Sequence, residues 1–129
     1  MAERLTRVPG SSDVFLGSIV AYADAVKTAQ LGVPEALIRE HGAVSADVAE
    51  AMASGARERL GADVAVGITG VAGPGGGTPE KPVGLCYVAA ETPAAARVVE
   101  FSYPSDRQAV RSRAAAAGLH LVRRLLTQN

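Results

Sequence analysis

The sequence predicts an α/β domain in which a mixed β-sheet forms a layer against flanking helices. Two observations predict this class. Short apolar runs alternate with stretches of helical periodicity, and glycine or proline stands at most of the boundaries between them. The predicted order is α-β-α-α-β-β-β-α. At 129 residues, the chain is predicted to be a single domain spanning residues 1–129.

The helices are predicted from their start and stop signals. Pro9-Gly10 ends the first helix, while Asp24 is a candidate N-cap and Gly32 a stop for the second. Ser45 is placed to cap the fourth helix, and Ser105-x-x-Gln108 fits a capping box for the last. These signals place helices over residues 1–7, 23–31, 34–40 and 45–60, and from residue 105 onward.

Four apolar runs are predicted to be strands, over residues 14–21, 63–69, 83–90 and 96–103. Thr92-Pro93 is expected to join the last two as a hairpin. Four strands are few for this many helices, so a strand ahead of residue 1 would make the fold more usual.

Composition excludes several classes of function. The 13 basic and 13 acidic residues give a formal net charge of zero, so no general attraction to nucleic acid or membrane is expected. The start of the chain lacks a signal-peptide core, and one cysteine, Cys86, fits a reducing cytoplasm. No Cys/His cluster suggests a metal, and no cofactor is predicted.

The glycine-rich run of residues 67–78 is the most informative motif, because it holds six of the 14 glycines and follows an apolar strand. Such a loop can bring backbone N–H groups close to an anion or a developing oxyanion. A wide turn between two strands explains the run equally well, and the run by itself leaves both interpretations open.

Several separated segments together resemble one family. They are Leu5-Thr6-x-x-Pro9-Gly10-Ser11-Ser12, Phe15-x-Gly17 with Val20-x-Tyr22 and Lys27, Gly42-Ala43-Val44-Ser45, Thr69-Gly70-x-Ala72-Gly73-Pro74, Gly76-Gly77-Thr78, Lys81-Pro82-Val83-Gly84, and Asp106-Arg107 with Arg111. In this order and spacing they resemble the CinA C-terminal domain family of nicotinamide-nucleotide amidases. The resemblance covers nearly the whole chain and implies the CinA C-terminal variant of the α/β fold.

This resemblance implies that the carboxamide of nicotinamide mononucleotide is hydrolysed to nicotinate mononucleotide and ammonia through a serine nucleophile, without metal or cofactor. The family's serine lies in a Glu-Ser-Cys-Thr-Gly-Gly motif, and residues 1–6 correspond to the helix after it. The chain is therefore expected to lack the first strand and the nucleophile. A start assigned too late, a trimmed chain and a natural truncation all explain this. The alternative function is a non-catalytic nucleotide-binding or assembly module, and a homodimer is implied.

Tyr22 and Lys27 are the catalytic residues that the resemblance implies. Lys27 falls in the first turn of a predicted helix, where the positive end of the helix dipole disfavours an ammonium and is expected to lower the lysine pKa. A neutral lysine would act as general base, with the tyrosine hydroxyl relaying or orienting the proton. Without the resemblance, the two residues are a strand-end aromatic and a solvated helix lysine.

The substrate-binding residues that the resemblance implies lie in two segments. Thr69 is expected to hydrogen-bond the carboxamide or ribose, and the loop N–H groups to face the oxyanion or phosphate. Arg107 and Arg111 lie four residues apart near a predicted helix N-terminus, which suits a 5′-phosphate. Solvated arginines are the alternative. The complete predicted binding set is Thr69, Gly70, Ala72, Gly73, Gly76, Arg107 and Arg111.

Overall fold

The computed structural model describes residues 1–128 and confirms the α/β class. Its elements, in chain order, are α1 (Ala2–Thr6), a 3₁₀ turn (Ser11–Asp13), α2 (Asp24–Leu31), α3 (Glu35–His41), α4 (Ala46–Leu60), β1 (Ala65–Gly70), β2 (Leu85–Glu91), β3 (Ala96–Ser102) and α5 (Arg107–Thr127). Among these described residues, no helix is both long and apolar enough to cross a membrane.

The sheet has the order β1-β2-β3, and both pairings are antiparallel. Ile68 pairs with Val88, which in turn pairs with Val99, and the predicted hairpin between β2 and β3 is confirmed. The expected mixed sheet is not observed within residues 1–128, because the fourth predicted strand, residues 14–21, is not paired with the other three.

Residues 14–22, which we call the 14–22 segment, alternate between exposed and half-buried side chains, as an extended strand does. Ile19 and Ala21 pack against a buried cluster that includes Val48 and Met52 of α4. The apolar pattern therefore predicted the extended shape correctly. The prediction that this segment pairs with the other strands was wrong, because pairing depends on a neighbouring backbone edge, which the apolar pattern does not specify.

Helix ends follow the predicted signals with two corrections. The Ser45 hydroxyl accepts a hydrogen bond from the Val48 amide at 3.3 Å and caps α4. Asp24 is not the N-cap of α2: the helix begins at Asp24 itself, without a side-chain cap. The capping box at Ser105 is also wrong, because the Asp106 carboxylate accepts from the Ala109 amide at 2.9 Å and starts α5 one residue later.

Two helical layers sandwich the sheet. On one face α4 lies so close that a Cβ on Gly67 would overlap the Ala49 carbonyl oxygen. On the other face, Val110 and Leu121 of α5 pack against β2. The layers are therefore α2, α3 and α4 on one side and α5 on the other, so the loops that follow β1 and precede α5 meet at one end of the sheet.

Candidate functional site

Arg107 connects two parts of the predicted site that are far apart in sequence. The Asp106 cap fixes the start of α5, so Arg107, its first residue, projects from the helix N-terminus. Its Nη1 donates to the Gly73 carbonyl oxygen at 2.8 Å, and its Nη2 donates to the Tyr22 hydroxyl oxygen at 2.9 Å. One guanidinium thus ties the glycine loop to the end of the 14–22 segment.

Lys27 lies beside this arrangement and is almost fully buried, with 6% of its surface exposed. Its Nζ donates to the Tyr22 carbonyl oxygen at 3.1 Å and lies 3.6 Å from the Asp24 carboxylate. The Asp24 contact is a feature that sequence reasoning missed, although the i, i+3 spacing within one helix turn signals it. We call Tyr22, Lys27, Gly73 and Arg107 the tyrosine–arginine cluster.

The Tyr22 side chain is 79% exposed, yet its hydroxyl is oriented. Because the oxygen accepts a hydrogen bond from Arg107, the hydroxyl proton remains available for donation to another group. The predicted position at the end of a paired strand is not observed, since the 14–22 segment is extended but unpaired in residues 1–128. Its contact with Arg107 holds the ring at this end of the fold instead.

The glycine loop begins where β1 ends and is anchored at both sides. Gly73 has φ +79°, and a Cβ there would lie 2.5 Å from Val83 Cγ1, so only glycine fits without a shift. Gly76 has φ +85° in open space. Lys81 Nζ donates to the His41 carbonyl oxygen at 2.5 Å, a contact that ties the loop to the end of α3 and that no sequence pattern indicated.

Thr69 and Gly70 lie at the end of β1, where the loop starts. Thr69 is buried, and its hydroxyl donates to the Ala43 carbonyl oxygen at 2.7 Å. The hydroxyl proton is therefore already used within the protein, and only the oxygen's lone pairs remain for a ligand. Gly70 packs so tightly that a Cβ would lie 2.6 Å from Cys86 Sγ.

Arg111 is separated in role from Arg107. It is exposed, its Nη1 lies 3.4 Å from Gln108 Oε1, and it lines a cavity of about 250 Å³ with Gly70 and Ala72. The predicted pair of arginines is thus present on α5. However, Arg107 already donates to two protein groups, whereas Arg111 faces the cavity.

A larger cavity of about 470 Å³ lies elsewhere, between α4 and the β2–β3 hairpin, and is lined mainly by alanines and by Asp47, Glu50 and Glu91. It shares no residue with the predicted site. The smaller cavity is the better candidate because it adjoins the glycine loop and Arg111, both of which carry groups that bind anions.

Within residues 1–128, no serine or cysteine side chain hydrogen-bonds to the Tyr22 or Lys27 side chains. Ser45 is occupied as a helix cap, and Cys86 is buried in β2. Burial raises the pKa of the Cys86 thiol, which disfavours the reactive thiolate. The site therefore offers proton-transfer and anion-binding groups but no activated nucleophile among the described residues.

These features define a layered α/β domain whose glycine loop and α5 arginine converge on a tyrosine. The chain belongs to the CinA C-terminal domain family, which it matches over residues 1–126. It is 50% identical to a CinA-like protein of Desulfotalea psychrophila over all 129 residues and 52% identical to one of Mycolicibacterium vanbaalenii over 128 residues. It spans 31% and 30% of those relatives' lengths, respectively.

Solved structures agree with this assignment. The competence/damage inducible protein CihA from Agrobacterium tumefaciens is 37% identical with a TM-score of 0.96; the match covers 98% of this chain and 78% of that one. A competence-damaged protein (CinA) superfamily protein from Escherichia coli is 29% identical with a TM-score of 0.91, covering 96% of this chain and 72% of that one. The family resemblance seen in the sequence is thereby confirmed.

Proposed function

We propose that this chain is the nucleotide-binding and proton-transfer part of an amidase that converts nicotinamide mononucleotide to nicotinate mononucleotide and ammonia. The observation that carries the proposal is the tyrosine–arginine cluster, in which Arg107 orients Tyr22 and the glycine loop next to the buried Lys27. Such a reaction would return the nucleotide to NAD synthesis in the cytoplasm.

In the proposed reaction, a serine hydroxyl attacks the carboxamide carbon, and Lys27 serves as the general base for the serine proton. The C–N bond then breaks, and the departing amine takes a proton through the Tyr22 hydroxyl to leave as ammonia. Water hydrolyses the acyl ester and restores the serine. We assign the serine to the Glu-Ser-Cys-Thr-Gly-Gly motif at the start of the family's pattern, ahead of the position that corresponds to residue 1.

Substrate binding divides between the two arginines. Arg107 is already held by Gly73 and Tyr22, so we assign it to orientation rather than to the 5′-phosphate. Arg111 lines the cavity and is the better phosphate ligand. Thr69 donates to Ala43, so its oxygen accepts a hydrogen bond from the carboxamide N–H or a ribose hydroxyl. The loop N–H groups of Gly70, Ala72, Gly73 and Gly76 complete the predicted set by facing the oxyanion.

The test is ammonia release from nicotinamide mononucleotide. This chain is compared with a polypeptide extended at its N-terminus through Glu-Ser-Cys-Thr-Gly-Gly, and the motif serine replaced by alanine is the control. Activity in the extended form alone supports the proposal. Ammonia release by this chain or by the serine-to-alanine control contradicts the proposal. Absence of ammonia release from all three polypeptides also contradicts it.

Arg111→Gln in the active extended form separates binding from chemistry. Removing a charge-assisted hydrogen bond to phosphate is expected to raise KM about tenfold or more with little change in kcat. Arg123→Gln, an exposed arginine on the same helix, is the matched control and should leave KM unchanged. Equal effects of the two substitutions would argue against the phosphate role of Arg111.

A second candidate, a non-catalytic nucleotide-binding module, is favoured by one observation: no nucleophile hydrogen-bonds to the Tyr22 or Lys27 side chains in the described part of the chain. Calorimetric titration with nicotinamide mononucleotide distinguishes the two functions. Binding by the extended polypeptide without ammonia release supports the module, whereas binding followed by ammonia release supports the amidase.

A further inference from the structure

Residues 41–45, which join α3 to α4 and which we call the 41–45 connection, are held by side chains from separate parts of the fold. Three successive carbonyl oxygens of the connection each accept one side-chain hydrogen bond: that of His41 from Lys81 Nζ at 2.5 Å, that of Gly42 from Ser45 Oγ at 2.9 Å, and that of Ala43 from Thr69 Oγ1 at 2.7 Å. The connection is therefore a fixed wall beside the end of β1, to which the glycine loop can be attached.

The contact with Lys81 joins two of the segments that carry the family resemblance, residues 42–45 and 81–84, and the proposed reaction uses neither. Gly42 has φ +77°, and a Cβ built there would lie 2.5 Å from Lys81 Nζ, so the bare backbone leaves the space that the ammonium occupies. The His41 carbonyl closes α3, where the negative end of the helix dipole favours a cation. The contact is thus a charge-assisted hydrogen bond at a site shaped to receive it.

The middle of the glycine loop depends on side chains for its position. Within the described chain, no backbone-to-backbone hydrogen bond involves residues 72–77. Arg107 holds the near end through the Gly73 carbonyl oxygen at 2.8 Å. At the far end, the Lys81 amide donates to Thr78 Oγ1 at 3.0 Å and the Thr78 amide donates to the Lys81 carbonyl oxygen at 2.9 Å. A restraint on the Lys81 side chain is therefore passed to the turn that closes the loop.

We propose that Lys81 is a positioning residue, which holds the far end of the glycine loop against the 41–45 connection and so sets where the loop N–H groups lie. It acts through the loop, because its Nζ is directed at the His41 carbonyl oxygen. The inference rests on the proposed function in one respect, the assignment of the loop N–H groups to the oxyanion. Since those groups act mainly in the transition state, a loosened loop should lower kcat rather than raise KM.

Amide hydrogen exchange, followed by NMR on this chain, tests the anchor without any reaction. In Lys81→Met, which removes the donor but keeps an unbranched side chain, the Thr78 amide should exchange about tenfold faster than in the parent chain. The Val88 amide in the centre of the sheet should be unaffected. Lys81→Arg keeps a donor and should restore most of the protection. Arg39→Met, at an exposed position on α3, is the matched control and should leave Thr78 unchanged.

Kinetics of the extended polypeptide test the positioning role. With kcat expressed per folded enzyme, Lys81→Met should lower kcat about tenfold or more and leave KM within about twofold. Lys81→Arg should recover most of the lost kcat, and Arg39→Met should change neither constant. This pattern is the reverse of that expected for Arg111→Gln, which raises KM, so the two roles are separable in one assay.

The outcomes separate this inference from the proposed function. Unchanged exchange at Thr78 in Lys81→Met, or the same acceleration in Arg39→Met, would overturn the anchor. Faster exchange with unchanged kcat, a rise in KM in place of the fall in kcat, or no recovery with Lys81→Arg would overturn the positioning role. If no extended polypeptide releases ammonia, the proposed function fails together with that role, whereas the exchange rates still decide whether Lys81 anchors the loop.

Discussion

Replacing Gly73 by alanine tests whether the glycine loop is held as the structure shows. The residue has φ +79°, and a Cβ there would lie 2.5 Å from Val83 Cγ1 and 3.4 Å from Val83 Cγ2. Its carbonyl oxygen also accepts the 2.8 Å hydrogen bond from Arg107. The substitution therefore combines backbone strain, a steric overlap and a displaced anchor for the site.

The expected cost separates into two parts. A left-handed backbone costs a non-glycine residue about 1–2 kcal/mol, and overpacking typically costs about 1–3 kcal/mol. Gly73→Ala is therefore expected to lower the free energy of unfolding by about 3 kcal/mol. Gly76 provides a matched control, because it has φ +85° with nothing within 4 Å of a built Cβ. Gly76→Ala should cost only the backbone part, about 1 kcal/mol.

Urea denaturation measures both variants, with midpoint and slope compared to the parent chain. Removing the overlapping methyl in Gly73→Ala/Val83→Ala should recover part of the loss, so the double-mutant cycle should give a favourable coupling of about 1–2 kcal/mol. Equal unfolding free energies for the Gly73 and Gly76 variants, or no rescue by Val83→Ala, would refute the close contact between the loop and Val83.

Three further predictions concern stability and reactivity. Gly55→Ala should lower the free energy of unfolding by about 2 kcal/mol, because its Cβ would overlap the Leu31 carbonyl oxygen where α2 crosses α4. Gly118→Ala is the control: its Cβ would contact only side chains, so the same urea titration should give a free energy of unfolding close to that of the parent chain. Asp106→Ala should lower the free energy of unfolding by about 1 kcal/mol, because α5 loses its N-cap. Asp106→Asn should retain the cap, and equal destabilisation by the two substitutions would argue against the capping role of Asp106. Burial raises the pKa of the Cys86 thiol, so the folded chain holds the thiol proton more tightly than the unfolded chain does. The resulting stabilisation is complete at pH values below the pKa of the unfolded state and is lost as the pH rises through the pKa of the folded state. A thiol reagent at pH 8 should therefore label the folded chain far more slowly than the urea-unfolded chain, and equal rates would contradict the burial.

The sequence predicted helices better than strands. Ser45 and Gly32 mark helix ends because caps and left-handed glycines act within a few residues of chain. The two errors, at Asp24 and Ser105, are shifts of one residue. At α2 the N-cap is Ala23, which has no capping side chain, and at α5 the cap is Asp106 rather than its polar neighbour Ser105. Only the surrounding structure selects the residue at which each helix begins.

The candidate site shows the same division between features that local sequence predicts and features that depend on the tertiary structure. The family pattern predicts proton transfer by Tyr22 and Lys27 and anion binding by Arg107 and Arg111. The contact between Tyr22 and Arg107 joins residues 85 positions apart, and no periodicity in the sequence indicates it. Sequence reasoning gave both arginines one role, whereas the structure gives Arg107 two protein acceptors and leaves Arg111 at the cavity.

By itself, the sequence determined the layered α/β class, most of the helix ends and the glycine loop, because these depend on local backbone preferences and on the spacing of apolar residues. Tertiary structure alone decided the antiparallel sheet, the unpaired state of the 14–22 segment and the convergence of Arg107 on Tyr22 and Gly73. These features depend on which distant backbone edges and side chains pack together, and no short stretch of residues contains that information.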